Sequence, residues 1–130
     1  MSKLIYVSII ILLSIYSYAL SKEVQSTVKG GNWYLPSTWV FGEVPDENDD
    51  VIINGNVSSN KPISCNDMTI NKACSLMLNT SSDKINFFKG NFTLFGCFES
   101  DENTLLLFKG KMTNNSKCFR NMVPLLETDE

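Results

Sequence analysis

Residues 85–113 read INFFKGNFTLFGCFESDENTLLLFKGKMT, and within them FKGNFT at Phe88 is followed 20 residues later by FKGKMT at Phe108. Both copies run apolar, then two or three polar or glycine residues, then apolar, then Ser or Thr. Toward the N-terminus the same form recurs as INKACS at Ile70 and INGNVS at Ile53, so successive starts lie 17, 18 and 20 residues apart. Short apolar or alternating runs accompany each copy: VII before the first, LML after the second, INFF before and FTLF after the third, LLLF before the fourth. Strand-length runs at a near-constant interval, none able to bury its apolar face alone, are what a stacked solenoid looks like in sequence.

In a parallel β-helix each coil lays its strands on those of the next, about 4.8 Å away, and inward side chains stack in ladders. The spacing predicts one ladder of Ile53, Ile70, Phe88 and Phe108 and another of Val57, Cys74, Phe92 and Met112, with the intervening Gly and Lys at the bend. An antiparallel β-sandwich or meander accounts for the same interval, with Gly90-Asn91 and Gly110-Lys111 as hairpin turns. The repeats alone leave the two architectures open.

The segment before them, GGNWYLPSTWVFGEVPDENDDVIING (residues 30–55), holds both tryptophans between the breakers Pro36, Gly42 and Pro45. So many breakers exclude a helix and predict an irregular packed cap. The acidic run Asp46 to Asp50 then leads into a strand at Val51. The pattern Gly31-x-Trp33-x-x-Pro36-x-x-Trp39-x-x-Gly42-x-x-Pro45, followed by Asp49-Asp50-Val51-x-Ile53 and Gly55-x-Val57, resembles the opening of extracellular parallel β-helix surface proteins. These are proteins with the module named for its eight glycines, and adhesin-like bacterial proteins. The resemblance is specific over Gly31 to Val57 and implies an all-β fold: a short right-handed parallel β-helix of about four coils with an N-terminal cap. Glycines are sparse beyond Gly55, a departure from that group. On this reading Cys97 and Cys118 are neighbours on adjacent coils, and Cys65 pairs with Cys74 around a bend, one of three connectivities open to four cysteines.

Four units follow: a signal peptide over 1–19, a lead-in and Trp/Pro-rich cap over 20–50, a strand-repeat domain over 51–118, and a C-terminal tail or cap over 119–130. Lys3 followed by the apolar run Leu4 to Leu13 and the small residues Ser17 and Ala19 has the layout of a cleavable secretory signal. The run falls short of the roughly 20 residues that span a bilayer, and no Lys/Arg cluster follows it. Removing it leaves 10 basic against 14 acidic residues and no basic cluster, which argues against nucleic acid and anionic lipid as partners. The expected location is secreted or at the extracellular surface.

Two disulfides among Cys65, Cys74, Cys97 and Cys118 fit an oxidising compartment. Zinc is disfavoured, because the cysteine spacings hold no knuckle and the chain has no histidine. Glycosylation sequons stand at Asn56 (NVS), Asn79 (NTS), Asn91 (NFT) and Asn114 (NNS). The missing histidine also removes the usual acyl-transfer triads, and no phosphate-binding loop or nucleophile elbow is present, so no enzyme and no cofactor are expected. Asp46, Asp49 and Asp50 are a calcium candidate by composition, without the spacing of an EF-hand. Trp33, Tyr34 and Trp39 are the candidate sugar-stacking surface, although the resemblance and their place beside the predicted core edge favour structural packing. The expected role is a non-catalytic secreted or cell-surface protein with an interaction or structural function, whose partner is an extracellular protein or glycan. The alternative is a small carbohydrate-binding or carbohydrate-active protein, and a third reading is a secreted inhibitor or effector.

Overall fold

The computed structural model describes residues 22–81, 84–121 and 126–127. Strands β1 (Glu23–Gln25) and β2 (Gly31–Asn32) precede a 3-10 turn at Pro36–Thr38. The first full turn comprises β3 (Asp50–Ile53), β4 (Asn56–Ser59) and β5 (Ser64–Cys65), and the second β6 (Met68–Ile70), β7 (Ser75–Leu78) and β8 (Ile85–Phe88). The third comprises β9 (Phe92–Leu94), β10 (Cys97–Ser100) and β11 (Leu105–Phe108). Strands β12 (Met112–Asn114), β13 (Cys118–Asn121) and β14 (Leu126–Glu127) belong to a fourth.

Equivalent strands stack into three sheets: β1-β3-β6-β9-β12, β2-β4-β7-β10-β13 and β5-β8-β11-β14. Every pairing in them is parallel. The protein is a parallel β-solenoid, with three complete turns where the sequence suggested about four coils. The antiparallel alternative is excluded: FKGNFT and FKGKMT are not hairpins but bends that carry the chain from the third sheet to the first.

The expected ladders are corrected in phase. Ile53 stacks on Ile70 in the first sheet, whereas Phe88 stacks on Phe108 in the third. The first sheet's own ladder runs Val51, Met68, Phe92, Met112, so its repeats are 17, 24 and 20 residues. Val57 stacks on Leu76, not on Cys74. The second turn is long because residues 71–74 between β6 and β7 and residues 79–84 between β7 and β8 both outrun their counterparts in the first and third turns. These longer connections bring a similar-looking motif, one sheet short of a full turn, to almost the right interval.

Alternation then fixes the core. In every full turn inward residues are buried and their neighbours are not, the pattern iBiB or eBeB along the strands. Phe88, Phe92, Phe98 and Phe108 form one cluster, with Phe88 stacked on Phe108 at 5.0 Å and edge-on to Phe92 at 5.0 Å. Polar groups inside are paired. Fully buried Asn86 accepts from the Ile63 N–H (2.9 Å) and donates to Thr80 Oγ1 (2.7 Å) and to the Leu105 carbonyl (3.0 Å).

At the bend into the first sheet, side-chain oxygens stitch one turn to the next. Asp50 Oδ1 accepts from the Asp67 N–H (3.1 Å), Asp67 Oδ1 from the Asn91 N–H (2.8 Å), and Asn91 Oδ1 from the Lys111 N–H (3.1 Å). Each bond satisfies a backbone donor that the bend takes out of the sheet ladder. Close stacking of bends also demands glycine: a Cβ on Gly96 would run into the Cys74 carbonyl of the turn below.

The N-terminal segment is more regular than expected. The supposed lead-in contains β1, in register with β3, and β2 pairs with β4. Gly30, at φ +70°, lies so close to the Asn56 backbone that no side chain fits. Trp33 and Trp39 meet edge-on at 5.0 Å, and Trp39 Nε1 donates to the Trp33 carbonyl (2.8 Å). The signal residues 1–19 and residues 122–125 and 128–130 of the tail lie outside the described residues.

Candidate functional site

A solenoid offers its outer faces, and the pleat decides what each presents. The first sheet shows a column of Ile52, Thr69, Thr93 and Thr113. The second shows Asn56 and Ser58, Ser75 and Met77, then Cys97 and Glu99, with Cys118 and Arg120 beside them. The third is different: its outward residues are Ser64, Ile85, Phe87, Leu105 and Leu107, with Leu105 paired to Ile85 and Leu107 to Phe87. Ile85 is 46% exposed, and Phe87, Leu105 and Leu107 are partly so. Four large apolar groups in a two-by-two block on an outer face stand apart from the polar columns of the other two sheets.

The sequon asparagines are all exposed. Asn56 lies on β4, Asn79 directly after β7, Asn91 directly before β9 and Asn114 at the end of β12, so none is on a strand of the third sheet. At Asn91 and Asn114 the hydrogen bond falls on Oδ1, which accepts from the Lys111 and Ser116 N–H groups (3.1 and 3.0 Å). Glycosylation takes place at the other atom, Nδ2.

No family model, curated protein or solved structure matches the chain.

Of the sugar-stacking candidates, Trp33 and Trp39 are withdrawn: they are 1% and 2% exposed, because the turn at Pro36–Thr38 folds both indoles onto the core. Tyr34 is half exposed, but Lys61 Nζ stands 5.9 Å over its ring and its hydroxyl donates to the Pro62 carbonyl. An aromatic that does reach solvent beside a hollow is Phe95, 44% exposed between Asn71 and Asn115. Periodicity alone placed Phe95 inside an apolar run, FTLF. The signal that could have found it is the alternation itself: with Phe92 and Leu94 inward, residue 95 falls on the outer side.

The calcium candidate is also corrected. Asp49 is buried and its Oδ2 accepts from the Asp46 N–H (2.9 Å), Asp46 Oδ1 accepts from the Asn48 N–H (2.8 Å), and Asp50 serves the Asn66–Asp67 bend. The three carboxylates are spread through a turn they hold together and do not converge. Among the described residues the one close group of metal-type ligands is Cys97, Glu99 and Cys118, and there the two sulfurs are bonded to each other.

Cys97 and Cys118 are register partners on β10 and β13 and form a disulfide, as the coil reading expected. Cys65 and Cys74 are not bonded, against expectation. Cys65 points into the core from β5 in the third sheet, while Cys74 stands at the bend between the first and second sheets, so the two face different parts of the coil. Burial, aided by the Asp50, Asp67 and Asp49 charges, pushes the Cys65 thiol far up, and burial raises that of Cys74, which keeps both protonated at neutral pH. Replacing Cys97 and Cys118 together by alanine removes a 21-residue closure. The expected loss is about 3 kcal/mol in denaturant unfolding, with the Cys65→Ser variant reported separately as a core substitution.

Proposed function

We propose that the protein is a non-catalytic secreted or cell-surface protein that acts by docking an extracellular partner through the outer face of its third sheet. The observation that carries this is the division of the surface. Ile85, Phe87, Leu105 and Leu107 make a partly exposed apolar block, while the exposed sequon asparagines sit on or beside the strands of the other sheets. Glycans at those positions would leave one face of the solenoid uncovered, and an uncovered apolar face is where a protein partner gains most from excluding water. The signal-like N-terminus, the outward disulfide and the opening segment's resemblance to extracellular β-helix proteins support the same reading.

Expression of the full chain in a eukaryotic secretory host tests it. The expected product is a protein in the medium whose N-terminus lies at about residue 20 and which carries glycans on two or more of Asn56, Asn79, Asn91 and Asn114, removable by peptide-N-glycosidase. A chain that stays inside the cell with its first residues intact and no glycan would sink the proposal. The carbohydrate-binding alternative draws on a different place, the hollow around Phe95.

A further inference from the structure

The bend between the first and second sheets carries one residue per turn in a column: Asn54, Asn71, Phe95 and Asn115, each one position beyond the ladder Ile53, Ile70, Leu94, Asn114. Asn71 Nδ2 donates to Asn54 Oδ1 (2.6 Å), the start of an amide stack in which each turn satisfies the next. Phe95 breaks that stack. Its ring cannot accept from Asn115 or donate to Asn71, so among the described residues the Asn115 amide has no side-chain partner and Asn71 uses only its nitrogen. The Lys72 ammonium beside them is likewise unpaired among the described residues. These four residues line an open hollow of about 550 Å³.

We infer that this hollow is a carbohydrate site, in which a pyranose ring lies on the face of Phe95 and its hydroxyls are bound by Asn71, Asn115 and Lys72. The chemistry argues for sugar over other small ligands. A pyranose has one face of C–H bonds, which suits an aromatic plane, and a rim of hydroxyls that both donate and accept. Two amides supply donors and acceptors together, and an ammonium supplies donors alone. A purely apolar ligand would leave all three polar groups dry. An isolated phosphate would make no use of the ring. The bend backbone is held in place: the Phe95 and Gly96 N–H groups both donate to the Ile70 carbonyl (2.9 and 3.1 Å) and the Asn115 N–H to the Leu94 carbonyl (2.8 Å). The platform is therefore formed before any ligand arrives, which lowers the entropy cost of binding.

The inference deepens the carbohydrate-binding alternative and needs the protein to be exported, but not the apolar face of the third sheet. The test is binding of the purified full-length secreted protein to an array of oligosaccharides built from glucose, galactose, mannose, N-acetylglucosamine and their uronic and sialic acids, with titration of each positive by calorimetry. Binding is expected, weakened about tenfold or more by Phe95→Ala, weakened also by Asn115→Ala, and preserved by Phe95→Trp and by Thr69→Ala on the outer face of the first sheet. Phe95 is partly exposed, so its alanine variant should keep the parent's melting curve, which is recorded alongside. Absence of binding to every sugar, or binding that Phe95→Ala and Asn115→Ala leave unchanged, would overturn the inference. Loss of binding in Phe87→Ala with Phe95→Ala unaffected would assign any sugar contact to the third sheet and overturn it equally. None of these outcomes bears on whether the chain is exported, which its N-terminus and glycans report.

Discussion

Phe88→Ala is expected to cost about 3–5 kcal/mol, enough to unfold much of a domain whose total stability is of order 5–15 kcal/mol. Phe88 is fully buried at the centre of the aromatic cluster, with Phe92 and Phe108 each at 5.0 Å and Phe98 at 6.3 Å. Truncation removes a large apolar group and leaves a cavity that rings on three neighbouring strands cannot close, since their backbones are fixed by the parallel ladders. The informative control is one residue away. Phe87→Ala, on the outer side of the same strand, is expected to change stability by less than about 1 kcal/mol. Because a one-residue slip in register exchanges inner and outer faces, equal losses for the two, measured by denaturant unfolding, would contradict the pairing of β8 with β11.

Asn86→Leu is the second large effect, about 4 kcal/mol of destabilisation, and it runs against the usual preference for leucine in a core. The amide bonds to the Ile63 N–H, the Thr80 hydroxyl and the Leu105 carbonyl, all in the interior at the third sheet. Leucine fills a similar volume but strands these groups without water, and each orphaned buried group costs about 1–3 kcal/mol. Thr104 continues the network: its hydroxyl accepts from the Thr80 N–H (2.9 Å) and donates to the Asp101 carboxylate (2.6 Å). Asn86→Asp should also destabilise, since one of its oxygens would face the Leu105 carbonyl. A leucine variant at parent stability, read from denaturant curves, would mean that the network contributes little.

The repeat was legible in sequence because three strands per turn leave short apolar runs at a near-constant interval. Its phase was not. Ile53 and Phe88 both begin an apolar-polar-apolar motif, yet one ends a strand of the first sheet and the other a strand of the third. A bend looks alike in sequence wherever it occurs, and the longer connections over residues 71–74 and 79–84 concealed the offset. The disulfide Cys97–Cys118 was readable because both positions lie in the regular part of the repeat. Cys65 and Cys74 straddle different bends, where counting residues gives no direction. The place of Trp33 and Trp39 beside a predicted core edge favours packing, and both are buried; what composition did not reveal is the Pro36–Thr38 turn that aims them inward. The apolar block on the third sheet hid in plain view, since LLLF and INFF read as core runs until alternation sends every second residue out.

The most direct test of the proposed interaction role is a photo-cross-link on the protein in its native setting. Phe87→p-benzoylphenylalanine places the probe in the apolar block, and Thr69→p-benzoylphenylalanine, outside any sequon, places it on the threonine column of the first sheet as a control. The account predicts a discrete protein adduct from position 87 and none from position 69. No adduct from either position, or the same adducts from both, would contradict a partner docked on the third sheet.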